Sequence, residues 1–146
     1  MIARQVLARL AHDGRGAITI EFALLAPAFI VMLFGVLQVG IGLQNYNAMR
    51  SLSADVARYA MIQHARGTPL TNAALTDYAE GLGADAPYLL QAANLDVTIA
   101  PAATPQITSA SELTLTIEYE IPSVLEPFGL SGPDIQYVRP IFISNS

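Results

Sequence analysis

Residues 15–43 read RGAITIEFALLAPAFIVMLFGVLQVGIGL, and this stretch decides the fold of the chain. From Phe22 to Leu43 it holds 22 residues with a single polar side chain, Gln38, and no charge. A helix of this length spans about 33 Å, which is enough to cross a hydrocarbon core of about 30 Å. We therefore predict a membrane span over about residues 20–43. The alternative is a buried core helix, but a chain of 146 residues has little protein with which to cover it.

The charges are distributed unevenly about this span. The chain has 7 basic residues, all arginine, against 12 acidic ones, for a net charge of −5. Arg4, Arg9 and Arg15 precede the span, and the positive-inside rule places such a leader in the cytoplasm. The acidic remainder is then expected across the membrane, and it lacks the basic cluster typical of nucleic-acid binding. Because the sequence has no cysteine, disulfides and thiolate metal sites are excluded.

A secretory signal peptide is the main alternative to a retained span. Its apolar region usually has about 7–15 residues and precedes a small-x-small cleavage site. Here the apolar stretch is longer, and residues 44–47, QNYN, offer no such site. The sequence therefore favours a span that stays on the protein.

The residues around this junction resemble a known signal. A basic leader that ends in Gly16, an apolar helix that follows at once and Glu21 at the fifth position resemble the class III signal of type IV pilins and pseudopilins. The string EFALLAP at residues 21–27 and the later string ARYA at residues 57–60 resemble the TadE-like family of the tight-adherence (Tad/Flp) pilus system. The resemblance extends over about residues 15–61.

The resemblance implies roles for individual residues. A prepilin peptidase would cleave between Gly16 and Ala17, which would keep the helix on the mature protein. Gly16 suits that position because a backbone without a side chain is easily held extended by a protease. The new amine of Ala17 would pair with Glu21 of a neighbouring subunit. A charged carboxylate inside a bilayer costs about 2.5–3.5 kcal/mol, so Glu21 needs such a partner. The alternative is an interfacial Glu21 that reaches water. Proline is frequent in the family at the position of Pro27, where it is expected to kink the helix.

These features divide the chain into three parts. Residues 1–16 form the leader, residues 17–61 the TadE-like segment, and residues 44–146 an extracytoplasmic head. The residues after the span continue one helix into water, because apolar positions recur there at three- and four-residue steps. This helix is expected from about Ile18 to Arg66, near 70 Å in length. Residues 13–16 are expected to break helical order before it.

The head is predicted to be a small α+β domain. Thr71 is a plausible N-cap for a short helix that ends near Gly83, and residues 88–93 add a further turn. Alternation predicts strands at residues 95–99, 113–121 and 135–143, of which the last contains Pro140 and is therefore an edge strand or a bulged one. We expect a three-stranded antiparallel sheet that packs on residues 49–60 of the long helix. With the resemblance, this implies the lollipop shape of pilin-like proteins.

Candidate catalytic and metal-binding side chains are scattered through the chain. His12 and His64 lie on opposite sides of the span and cannot meet in one subunit. Asp77 and Glu80 are one helical turn apart, and Glu118 and Glu120 share the outer face of a strand; either pair could form a catalytic dyad, but both are interpreted as solvated surface. Asp85, Asp96 and Glu112 could bind calcium weakly, but their spacing does not resemble a calcium loop. We therefore expect no enzyme activity, no cofactor and no metal.

The resemblance implies a TadE-like pseudopilin, a minor pilin-like subunit in the biogenesis of tight-adherence (Flp-type) pili and in cell adhesion. Its partners would be prepilin peptidase, other pilin or pseudopilin subunits, the Tad inner-membrane assembly machinery and membrane lipid, with no nucleic acid and no small-molecule substrate. It would be a single-pass protein of the bacterial inner membrane, N-terminus cytoplasmic and head periplasmic, or a component of a surface pilus.

Two alternatives stay open. One is a single-span inner-membrane protein whose periplasmic head binds a partner unrelated to pili. The other is a secreted soluble protein that signal peptidase releases.

Overall fold

The computed structural model describes residues 14–106, 110–126 and 129–144 of the chain. Its elements in order are helix α1 (Gly14–Ala65), helix α2 (Asn72–Ala84), a 3-10 turn (Ala92–Asn94), and strands β1 (Leu95–Pro101), β2 (Ala110–Glu120) and β3 (Asp134–Ser144). The strands form one antiparallel sheet in the order β1-β2-β3. This content of helices and strands confirms the predicted α+β fold. The chain divides into two compact units between Gln38 and Val39.

Helix α1 begins earlier than the sequence pattern indicated. Gly14, Arg15 and Gly16 are helical, so the prediction that these residues break the helix was wrong. Glycine in a helix costs about 1 kcal/mol relative to alanine. A residue added to an existing helix nevertheless gains a hydrogen bond without a new nucleation step. Extension of this long helix therefore outweighs the local preference of the two glycines. Residues 1–13, most of the predicted leader, lie outside the described residues.

The N-terminal unit exposes a long apolar surface. From residue 18 to residue 38, nearly every described side chain is exposed, and Phe22 and Leu24 are 69% and 75% accessible. Among the described residues, α1 is the one helix long and apolar enough to cross a membrane, and none of its most apolar window is buried in protein. Burial of apolar surface is worth about 25 cal/mol per Å², so this surface favours lipid over water. The helix suggests a single-pass membrane protein, and the alternative of a buried core helix does not hold within this chain.

The C-terminal unit has a compact apolar core between the sheet and the helices. Strand register places Val97 opposite Ile117, and Ile117 opposite Tyr137, so apolar residues of neighbouring strands share one face. The predicted packing of the sheet on residues 49–60 of the long helix is confirmed. The buried residues of this core include Met49, Leu52, Val56, Leu75, Ala79, Leu115, Ile117 and Ile141.

Helix α2 is capped as predicted but ends later. The Thr71 hydroxyl accepts a hydrogen bond from the backbone N–H of Ala74 at 3.2 Å. The helix passes through Gly83, which the sequence suggested as its end, and stops after Ala84. A Cβ on Gly83 would lie 2.7 Å from the Leu95 side chain and 2.9 Å from that of Leu52. Gly83 therefore allows α2 to approach β1 and α1 closely, and its role is packing.

Candidate processing and assembly site

The predicted cleavage position lies in the first turn of α1. Gly16 and Ala17 are the third and fourth residues of the helix. The first four N–H groups of a helix have no partner within it, so this turn is the least firmly held. Extending the chain as far as Ala17 breaks only the hydrogen bonds that the carbonyls of the first turn accept. A protease therefore has a short segment to unwind before the bond between these residues is accessible.

Glu21 lies one turn beyond Ala17 on the same side of the helix. Residues four apart share a helix face, and the axial separation is about 6 Å. Glu21 is exposed, as are its apolar neighbours Ile20 and Phe22. Its carboxylate has no hydrogen-bond or ion-pair partner among the residues that the structure describes. The side chain is thus available to a group from outside the chain.

Helix α1 continues through Pro27. Proline has no N–H to donate, so the carbonyl of Ala23 loses its usual intrahelical partner. The helix is not ended by this proline, and the kink stays a prediction.

The other acidic candidates differ in exposure and in hydrogen bonding. Glu118 is exposed, as expected, and accepts a hydrogen bond from Gln136 Nε2 at 2.7 Å. Glu112 is buried, and its carboxylate accepts the backbone N–H of Gln106 at 2.6 Å. Asp77 is exposed on α2. Within residues 14–106, 110–126 and 129–144, no group of three His, Cys, Asp or Glu side chains is placed to hold a metal ion. His12 lies outside those ranges.

Sequence patterns did not indicate the pair formed by Tyr88 and Asp55. The Tyr88 hydroxyl donates a hydrogen bond to the Asp55 carboxylate, which ties the loop after α2 to α1. Burial, followed by this hydrogen bond, raises the pKa of Tyr88 from 10.0 to about 12. The two residues are 33 apart in the chain, so no helical or strand period relates them.

This pair predicts a pH-dependent stability. The folded state holds the Tyr88 proton more tightly than the unfolded state, so the stabilisation is complete below about pH 10 and is lost as the pH rises to about 12. Tyr88→Phe is expected to lower the free energy of unfolding by about 1 kcal/mol near neutral pH. It should also flatten the decline between these pH values. Urea unfolding of the full chain in detergent measures both effects, with Tyr46→Phe as control. Parallel pH curves for wild type and Tyr88→Phe would contradict the assignment.

The comparisons with known proteins concern the same helix. Residues 16–58 match the family described as TadE-like protein. The match begins at Gly16, includes Glu21 and Pro27, ends at Arg58 within α1, and covers under a third of the chain. No curated protein and no solved structure matches the chain significantly. The resemblance expected from the sequence is confirmed, and the chain is similar to TadE-like proteins over this N-terminal helical segment.

Proposed function

We propose that this protein is a pseudopilin, a minor pilin-like subunit that acts in the biogenesis of tight-adherence (Flp-type) pili. The observation that carries the proposal is the TadE-like match, which starts at Gly16 and includes Glu21 at the fifth position after it. The exposed apolar surface of α1 supports retention of the helix in a membrane or in a bundle of similar helices. The role is structural and involves no catalysis by this chain.

The first step is cleavage by prepilin peptidase. Hydrolysis adds one water across the amide bond, leaving a carboxylate on Gly16 and an amine on Ala17. The position of this bond in the first turn of α1 supports the step, because little of the helix has to open. The apolar helix stays on the mature subunit.

The second step is pairing of subunits. An α-amine has a pKa of about 7.7–8.0, so the Ala17 amine is largely cationic at neutral pH. Glu21 is exposed on an apolar helix face and has no partner among the described residues. When helices of several subunits pack together, the amine of one neutralises Glu21 of the next. This pairing offsets the cost of burying either charge alone.

The proposed location follows from the leader. Arg4, Arg9 and Arg15 keep the N-terminus in the cytoplasm, which places the acidic head in the periplasm. The chain would contact other pilin or pseudopilin subunits and the Tad inner-membrane machinery at the inner membrane. Incorporation into a surface pilus is the natural consequence if subunits pair through Glu21.

Deletion of the gene with complementation tests the proposal. We expect the deletion strain to lose surface pili and adherence while its major pilin is still present in the membrane. Complementation with the wild-type chain, or with the exposed head substitution Asp77→Asn as a control, should restore both. Unchanged pili and adherence in the deletion strain would contradict the proposal and favour a membrane protein unrelated to pili.

A further inference from the structure

A groove of about 540 Å³ runs along strand β3, between its free edge and α1. Arg139 lines it from a position that faces the core side of the sheet. Its strand neighbours on that face are Tyr137 and the buried Ile141, and its cross-strand partner is the fully buried Leu115. The alternation of β3 predicts an apolar residue at this position, but the residue is the positively charged Arg139. We call this surface, lined by Arg50, Ala57, Met61 and residues 137–142, the arginine groove.

The arginine groove is positive within an acidic body. Residues 39–146 contain four arginines against ten acidic residues, and two of the four, Arg50 and Arg139, lie here. No acidic side chain lines the groove among the described residues. Neither guanidinium forms an ion pair in the part of the chain that the structure describes. The groove is therefore suited to an anionic occupant.

The backbone of β3 is poorly suited to adding another strand. The N–H of Ala102, the residue after β1, donates a hydrogen bond to the carbonyl of Glu112 in β2. Alternate residues of a strand direct their N–H and C=O groups to opposite sides, so those of the even-numbered residues of β2 point toward β1. Thr114 is one of these, and Pro140 lies opposite it. The backbone of Pro140 must then face the free edge, where proline has no N–H to offer. Binding in the arginine groove is accordingly expected through side chains.

A second surface of the same unit has the opposite charge. Asp96, Glu118, Glu120 and Asp134 line a shallow depression of about 370 Å³ on the solvent face of the sheet. Asp96 lies opposite Glu118, and Glu120 opposite Asp134, so like charges face each other across the strands. Such pairs are destabilising unless a cation comes between them. No arginine lines this acidic depression among the described residues.

We propose that the arginine groove of one copy of this chain binds the acidic depression of a second copy. Among the described residues, no acidic side chain lines the arginine groove and no arginine lines the acidic depression, so each surface supplies the charge that the other needs. Arginine suits this contact because its planar guanidinium binds carboxylates through two parallel hydrogen bonds. The two surfaces differ, so the contact is heterologous and leaves an unused surface on each copy. The proposal goes beyond the proposed pilus function, because it concerns the head alone and does not depend on cleavage at Gly16.

The alternative is that Arg139 and Pro140 only protect the edge. Inward-pointing charges and prolines are common devices against aggregation of edge strands. In that case Arg50 takes no part in protecting the edge of β3. Reversal of the charges in the acidic depression then changes no contact between copies.

Site-directed crosslinking of the full chain in detergent tests the proposal. The sequence has no cysteine, so single cysteines can be introduced: one tagged copy carries Met61→Cys in the arginine groove, and a differently tagged copy carries Gln136→Cys in the acidic depression. A short bismaleimide should join the two copies. Arg50→Glu with Arg139→Glu in the first copy should lower the yield about fivefold or more. Glu118→Arg with Glu120→Arg in the second copy should then restore it, and salt well above physiological strength should weaken the wild-type contact.

The matched control is Arg58→Glu with Arg66→Glu, the same charge change at arginines outside the groove. The proposal would be overturned if the control pair lowered the crosslinking yield by the same factor. It would also be overturned if Glu118→Arg with Glu120→Arg in the second copy did not restore the yield. Reversal of the charge at the half-buried position 139 can affect folding, so Arg50→Glu alone is measured as well. It should lower the crosslinking yield without changing the midpoint of urea unfolding. An unchanged yield for this exposed variant would also count against the proposal. Failure of cleavage or of pilus formation leaves these outcomes unaffected.

Discussion

Replacement of Gly16 by alanine is expected to leave most of the chain uncleaved, with Met1 still at its N-terminus. One added methyl group in a tight enzyme pocket is worth about 10–200-fold in rate. Alanine also favours the helix over glycine by about 1 kcal/mol, which opposes unwinding of the first turn of α1. We expect the initial cleavage rate to fall about tenfold or more. Mass spectrometry of membrane extracts taken at intervals after a pulse of synthesis measures it.

The chain offers a matched control two residues away. Gly14→Ala makes the same change in the same helical turn but leaves the residue before the cleaved bond intact. If the peptidase requires glycine at the bond itself, Gly14→Ala is cleaved at close to the wild-type rate. Cleavage of Gly16→Ala as fast as the wild-type chain would contradict the assignment of Gly16 as the processing residue.

Replacement of Glu21 by glutamine is expected to leave cleavage intact and to abolish assembly. Glutamine has nearly the same size but no charge, so it cannot neutralise the Ala17 amine of a neighbour. Removal of one partner from a buried ion pair costs about 3–5 kcal/mol, which corresponds to at least about a hundredfold weaker association. The measurement is the fraction of processed chain recovered with other pilus subunits after crosslinking in cells.

Asp77→Asn is the control for this substitution. It also converts an exposed carboxylate to an amide, but it lies on α2, in the unit that does not contain Glu21. It should be recovered with the other subunits as well as the wild-type chain is. Normal recovery of Glu21→Gln would show that the carboxylate is merely interfacial and reaches water by itself.

Much of the fold could be predicted because its elements have strong periods. The alternation of Leu113, Leu115 and Ile117 with threonines placed β2 correctly, since every second side chain of a strand faces the core. The Thr71 cap was equally readable, because a hydroxyl before a helix accepts an N–H of its first turn. The long apolar run identified α1, whose length and composition are visible without any tertiary contact.

Local preferences misled where cooperative or tertiary effects are stronger. Gly14 and Gly16 suggested a break, yet the growing helix includes them. Gly83 indicated the end of α2 to within one residue, but its close packing against Leu95 and Leu52 had no signal in the sequence.

Contacts between distant residues had no local signal at all. The hydrogen bond between Tyr88 and Asp55 is of this kind. One sequence signal could have indicated the arginine groove. Arg139 lies on the same side of β3 as Tyr137 and Ile141, so the alternation of the strand places a charge on the core side.

The most direct test of the proposed function is the mass and N-terminal sequence of the chain extracted from membranes, in cells with and without prepilin peptidase. We predict an N-terminus at Ala17 when the peptidase is present and at Met1 when it is absent. An N-terminus at Met1 in both strains, or one beyond the apolar span, would contradict the assignment as a processed pilin-like subunit.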